Sequence, residues 1–267
     1  MSNPWKKDWK VNQNYKKLLK SRQKLLKHLN WNKNKNNIFI ISVALIVFIG
    51  IILSTSLQWN FPVDAATSTD ASNITLAKTN DSVVVKEGPY GNMSSNVTIA
   101  YIVGVHPRES ASHQAIVESI RQSDGSLNKA YYLYIIKAPI YEDNYPAERM
   151  NGQLMANRYV VHDIINNSYQ LAVDVHSSNG SYAAERFVFV PIYENKSITI
   201  AQDLDNSISW LTYYYPSIVS SPEYVTIPLI ESGIPSIVYE TYKYDSNTTT
   251  REHAQEFIRV IDRSKIF

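Results

Sequence analysis

Residues Thr98–Ser110 read TIAYIVGVHPRES. An apolar, β-branched and aromatic run empties into a turn that holds His106 and Glu109. The run predicts a buried strand. The residues behind the turn, SASHQAIVESIRQ, place Ala115, Ile116 and Ile120 on one helical face, with Ser110 as a candidate cap. Strand, turn and helix in that order form the repeating unit of an α/β sheet.

The same texture continues along the chain. VVVK, YYLYIIKAPI, YQLAVDVH, RFVFVPI and IPSIVYET read as further strands. SITIAQDLDNSISWL and TTTREHAQEFIRVIDRSKIF read as helices, the latter capped within Thr248–Thr250. The expected fold class is therefore α/β, with a mixed, largely buried sheet flanked by helices.

Upstream of residue 83 the character changes. Residues 1–37 hold eleven of the 26 Lys and Arg but one of the 24 Asp and Glu. That gives the tail a charge of +10 and leaves −8 on the remainder. Ile38–Leu57 contains no charged residue and, at 1.5 Å per residue, reaches roughly 30 Å, one hydrocarbon core. It reads as a retained transmembrane helix. The basic excess before it puts the N-terminus in the cytoplasm and the C-terminal domain outside the cell membrane. The tail itself, with Leu18, Leu19, Leu25, Leu26 and Leu29 near one face, fits an amphipathic segment on an anionic leaflet rather than a nucleic-acid binder. Sequons at Asn73, Asn80, Asn92, Asn96, Asn166, Asn179, Asn195 and Asn247 all follow the span. The expected division is a basic cytoplasmic tail (1–37), a transmembrane helix (38–57), a polar linker (58–82) and an extracytoplasmic domain (83–267).

The chain has no cysteine, which excludes disulfides, thiol nucleophiles and thiolate metal sites. A metal would have to sit on His, Asp and Glu. Three apolar strands end in such residues: TIAYIVGV before His106, QLAVDV before His176 and PSIVY before Glu240. Carboxyl ends of strands in open α/β sheets are where ligands collect. His106, Glu109 and His176 can share one cation, and two imidazoles, a carboxylate and a water make a catalytic zinc site. Asp174 can orient a ligating ring or pair with a loop amide. His113 is a competing ligand or a helix-surface residue. His253 and Glu256 repeat the spacing on the solvated face of a helix. Glu231 is a second candidate base.

The order G-x-H-x-x-E, N-R, D-x-H and a late Glu, carried here by GVHPRES, NGQLMANR, DVHSSNG and GIPSIVYET, resembles the zinc carboxypeptidase superfamily. It looks closest to the succinylglutamate desuccinylase and aspartoacylase branch. The resemblance covers about residues 96–267. It implies one Zn2+ on His106, Glu109 and His176, and Glu240 as general base. It also implies Asn157 and Arg158 as the grip on a substrate carboxylate, and Arg149 as polariser of the scissile carbonyl. Pro107-Arg108 replaces the usual glycine after the ligand His and adds a charge beside the substrate path. The implied activity is hydrolysis of an amide next to a free carboxylate, in a peptide or an N-acyl amino acid. Two other readings compete: a non-catalytic binding module of the same fold, and a structural protein in which these residues do not converge.

Overall fold

The computed structural model describes residues 72–216 and 221–267. The predicted tail (1–37), the apolar span (38–57) and residues 58–71 of the predicted linker lie outside the described residues. Among the described residues no helix is long and apolar enough to cross a membrane.

Eight strands form the sheet: β1 (Ser72–Lys78), β2 (Val83–Gly91), β3 (Thr98–Val103), β4 (Ala130–Lys137), β5 (Leu171–Ser178), β6 (Phe187–Phe189), β7 (Thr212–Tyr213) and β8 (Ser236–Tyr242). Their spatial order is β1-β2-β4-β3-β5-β8-β6-β7. The four in the middle, β4, β3, β5 and β8, run parallel, while β1, β2 and β6 join antiparallel. The sheet is mixed, as expected. The linker expectation is corrected at its C-terminal end, because Ser72–Lys78 is the edge strand β1, paired with β2. Its mostly exposed residues hide it, since only Leu76 and Ala77 pack against the core and two such positions make a weak pattern.

Among the described residues six helices complete the domain: α1 (Ser110–Ser123), α2 (Tyr145–Met155), α3 (His162–Ile165), α4 (Asn195–Ser207), α5 (Thr226–Glu231) and α6 (Asn247–Arg263). A π-helical turn, Ala156–Val161, joins α2 to α3. The cap of α6 is Ser246, whose side chain accepts from the Thr249 amide, two residues before the predicted Thr248. α1 starts without a side-chain cap.

Alternation along β3 divides the core. Ile99, Tyr101 and Val103 face a cluster that includes Ile116, Leu204 and Phe257, from α1, α4 and α6. Ala100 and Ile102 face Met155, Ile164 and Leu229, from α2, α3 and α5. Tyr239 of β8 stacks on Phe257 with centroids 4.0 Å apart. Each such ring removes well over 100 Å² of apolar surface from water, roughly 3 kcal/mol or more at 25 cal/mol per Å².

Connectivity now places the site. From β3 the chain goes through α1 to β4 on one side, and from β4 it returns past β3 to β5 on the other. The strand order therefore reverses between β3 and β5, and a crevice opens at their carboxyl ends. Two glycines let backbones close in there. Gly104 has φ +89°, and a Cβ on it would stand 2.0 Å from the Ile136 carbonyl oxygen. A Cβ on Gly152 in α2 would stand 2.1 Å from the Val105 carbonyl oxygen.

Candidate metal centre

His106 leaves the end of β3, Glu109 closes a 3-10 turn (Pro107–Glu109), and His176 sits near the end of β5. The crevice brings all three together. His106 Nδ1 lies 3.0 Å from His176 Nδ1 and 3.0 Å from Glu109 Oε1, and His176 Nδ1 lies 3.0 Å from Glu109 Oε2. The three form a group whose potential ligand atoms lie within 4.8 Å of one another. Two zinc bonds of about 2.0–2.1 Å at a tetrahedral angle separate their donor atoms by roughly 3.3 Å, so the cluster has the span that such an ion needs.

The outer nitrogens also have partners. Gln153 of α2 stands 3.2 Å from His106 Nε2. Asp174 Oδ1 stands 3.0 Å from His176 Nε2, at ion-pair distance but without hydrogen-bond alignment. Thr226 donates to the other Asp174 oxygen at 3.1 Å. Were both Nδ1 atoms to hold a cation, each ring would keep its proton on Nε2: on His176 it would face the Asp174 carboxylate, and on His106 the Gln153 amide would have to turn its oxygen to the ring in place of the nitrogen that now faces it. Of the two roles open to Asp174, the structure places its carboxylate beside the His176 ring and not on a loop amide. Gln153 has no counterpart in the sequence reading.

Charge at the cluster follows from these contacts. Burial opposes ionisation of Glu109, yet hydrogen bonds from both imidazoles hold its carboxyl far below the usual range. Burial also opposes protonation of His176, but Asp174 and Glu109 outweigh it and raise that ring well above an ordinary imidazole. His106 shifts down, through burial and then the neighbouring His176. The Ser177 amide donates to Glu109 Oε2 at 3.1 Å and pins the carboxylate.

Glu240 is the Cα partner of His176 across the β5–β8 ladder. Burial, with Glu109 and Asp174 adding to it, pushes its carboxyl up to about 7. No hydrogen-bond donor among the described residues reaches it. A cleft of about 420 Å³ opens over the cluster, with His106, Glu109, Glu240, Arg108, Arg149 and Lys243 in its lining. Ser177, Ser178, Asn179 and Ser181 supply polar, uncharged wall. Arg149 NH1 stands 3.7 Å from Glu109 Oε1.

Several expected positions need correction. Asn157 and Arg158 do not line this cleft. They fall in the π-helical turn, where Asn157 donates to the Tyr224 carbonyl at 2.8 Å and Arg158 is exposed. His113 is neither ligand nor surface residue. It is buried, with Nε2 3.1 Å from the Val175 carbonyl, and burial drives its pKa down to about 4. His253 is not on a solvated face, because it stacks on Trp210 at 3.8 Å while Glu256 accepts from the Trp210 indole. Glu231 ends α5, as expected, is exposed and does not line the cleft.

No protein-family model matches the chain, and no curated protein matches it. Solved structures do. A metallo-carboxypeptidase from Burkholderia cenocepacia superimposes with TM-score 0.51 at 12% identity, over 73% of this chain and 64% of that one. A candidate carboxypeptidase from Burkholderia mallei gives 0.50 at 12%, over 72% and 63%. A succinylglutamate desuccinylase/aspartoacylase from Rhodobacter sphaeroides gives 0.43 at 12%, over 72% and 62%. The fold is thus that of the metallo-carboxypeptidase-like proteins that the motifs resemble. The chain spans a little under two thirds of the length of each, and the last likeness is too loose to separate one branch from another.

Proposed function

We propose that the protein is a metal-dependent hydrolase of amide bonds next to a free carboxylate, in peptides or N-acyl amino acids. The observation that carries this reading is the meeting of His106, Glu109 and His176 at the β3–β5 crevice, with the donor-free Glu240 in register beside His176. The ligand set, two imidazoles and one carboxylate, favours zinc. A divalent ion held there supplies Lewis acidity and a water acidified to about pKa 7.

The chain's own groups supply the rest. Glu240, with a carboxyl near 7, takes a proton from water in the cleft and returns it to the leaving amine. Arg149, in the cleft lining 3.7 Å from Glu109, offers a guanidinium to the carbonyl oxygen or to the substrate carboxylate. The Ser177–Ser181 wall suits a peptide backbone, which is polar and uncharged. Lys243 adds positive potential for an anionic substrate. With Asn157 and Arg158 outside the cleft, the carboxylate grip passes to Arg149 and Lys243.

The reading includes attachment to a membrane through Ile38–Leu57, with the domain outside. That part is supported by the uncharged twenty residues and by the tail charge of +10 before them.

The test is zinc content together with turnover. Wild type should hold one zinc per chain and hydrolyse carboxylate-terminal peptides or N-acyl amino acids. Glu240→Gln should keep the zinc and lose turnover by about 10²–10⁴-fold. A folded protein that stays metal-free in excess zinc would falsify the hydrolase reading. Full zinc with no turnover in wild type would favour the binding-module alternative, which the withdrawal of Asn157 and Arg158 from the cleft otherwise supports.

A further inference from the structure

Glu148 in the first turn of α2 is completely buried. A carboxylate at such depth is costly without a cation. Its cation comes from the metal-ligand turn: Arg108 Nε donates to both Glu148 oxygens at 3.0 Å each. The Arg108 fork also reaches back, NH2 donating to the Tyr141 carbonyl at 2.8 Å, while the Tyr141 amide donates to Glu148 Oε2 at 3.0 Å. The loop before α2, the first turn of α2 and the Pro107–Glu109 turn are thereby tied by one ion pair.

Tyr145 extends the tie. Its ring centroid lies 5.4 Å from the Arg108 guanidinium carbon and 5.5 Å from that of Arg149. Arg149 NH1 also donates to the Tyr145 hydroxyl at 3.1 Å. One aromatic ring thus serves two guanidiniums, and the second is the one that stands 3.7 Å from Glu109.

We infer that Arg108 is a positioning residue: its fork on Glu148 sets, through the shared Tyr145 ring, where Arg149 stands over the ligand cluster. Arg108 is charge-matched already and acts on the substrate through Arg149. The inference rests on the hydrolase reading for the use made of Arg149, but not for the mechanical linkage.

The experiment compares zinc-loaded full chain with Arg108→Gln, Arg149→Gln and the double variant. The probe is N-acetylglycine, which carries one amide and one carboxylate, and binding is followed by titration calorimetry. Each single variant should lose roughly tenfold in affinity, and the double no more than the worse single, because both remove one interaction. Zinc stoichiometry should not change. Arg108→Lys should recover little, since an ammonium cannot fork to Glu148 and the Tyr141 carbonyl together. Losses that multiply in the double variant, or wild-type binding by Arg108→Gln, would overturn the inference. Failure of wild type to take zinc or N-acetylglycine would count against the hydrolase reading instead. The linkage is then decided by ¹⁵N-arginine spectra: a guanidinium signal of Arg149 that broadens in Arg108→Gln supports it, and an unchanged signal refutes it.

Discussion

Two carboxylates, the buried Asp262 and the half-buried Glu240, are treated in opposite ways. Asp262, near the end of α6, accepts from the Asn128 amide at 2.9 Å, the Asn128 side chain at 2.6 Å, the Lys129 amide at 3.1 Å and the Tyr131 hydroxyl at 3.0 Å. The Lys129 ammonium donates to the Asp262 and Ser264 carbonyls beside it. Glu240 lines the cleft half-buried, receives no donor, and has its carboxyl pushed up to about 7 by burial. A carboxylate surrounded by donors fastens the final helix to β4. One stripped of donors and turned to a cleft is, under the hydrolase reading, the group that exchanges a proton. The difference separates stability from chemistry within one sheet.

The comparison breaks first at Asp262. Asp262→Ala strands the amide, side-chain and hydroxyl donors at that point, and should cost about 3–5 kcal/mol in urea unfolding while zinc affinity stays the same. A loss under 1 kcal/mol would mean that Asp262 fastens little.

A sharper test uses opposed pH slopes in the metal-free protein. His113, lowered to about 4, is neutral when folded, so its stabilisation is full above about 6.5 and fades as pH falls toward 4. Glu240, raised to about 7, works the other way: its contribution is full below about 4.5 and fades as pH rises through 7. Each is worth on the order of 3 kcal/mol across its window, so the two largely cancel in wild type. Glu240→Gln should unmask loss of stability on acidification, and His113→Gln should unmask loss on alkalinisation. Unfolding curves at pH 4.5, 6 and 7.5 give the slopes, and equal slopes in the two variants would discard the contrast.

The smallest effect is expected at Arg158. Arg158→Ala should change N-acetylglycine affinity of the zinc-loaded protein less than about twofold, because its side chain is exposed and outside the cleft. A tenfold loss would restore it to the substrate path.

Much of this was legible in the residues themselves. TIAYIV, QLAVDV and PSIVY announce buried parallel strands, and whatever polar group ends such a strand is delivered to the shared edge. His106, His176 and Glu240 were readable for that reason. α2 was not. Its buried positions include Glu148, Gly152 and Gln153, whereas Met150 and Leu154 are exposed. A helix that turns its polar side to a reaction site inverts the pattern by which helices are recognised. Asn157 and Arg158 were misplaced because the π-helical turn that carries them redirects side chains, and nothing in ANRYVV marks that widening. His113 and His253 were misread because burial of a lone imidazole depends on neighbours far along the chain.

The contact between Gly152 and the Val105 carbonyl has one further meaning. Helix and ligand loop touch main chain to main chain, with no compressible side chain between them, so their spacing works as a ruler with a single mark. A methyl group at that point would lift α2 bodily, carrying the Gln153 amide away from its imidazole and the Arg149 guanidinium away from the carboxylate below it. The shape of this cleft can therefore be altered by exchanging rim side chains such as Lys243, Asn179 and Tyr182, while the floor admits no adjustment.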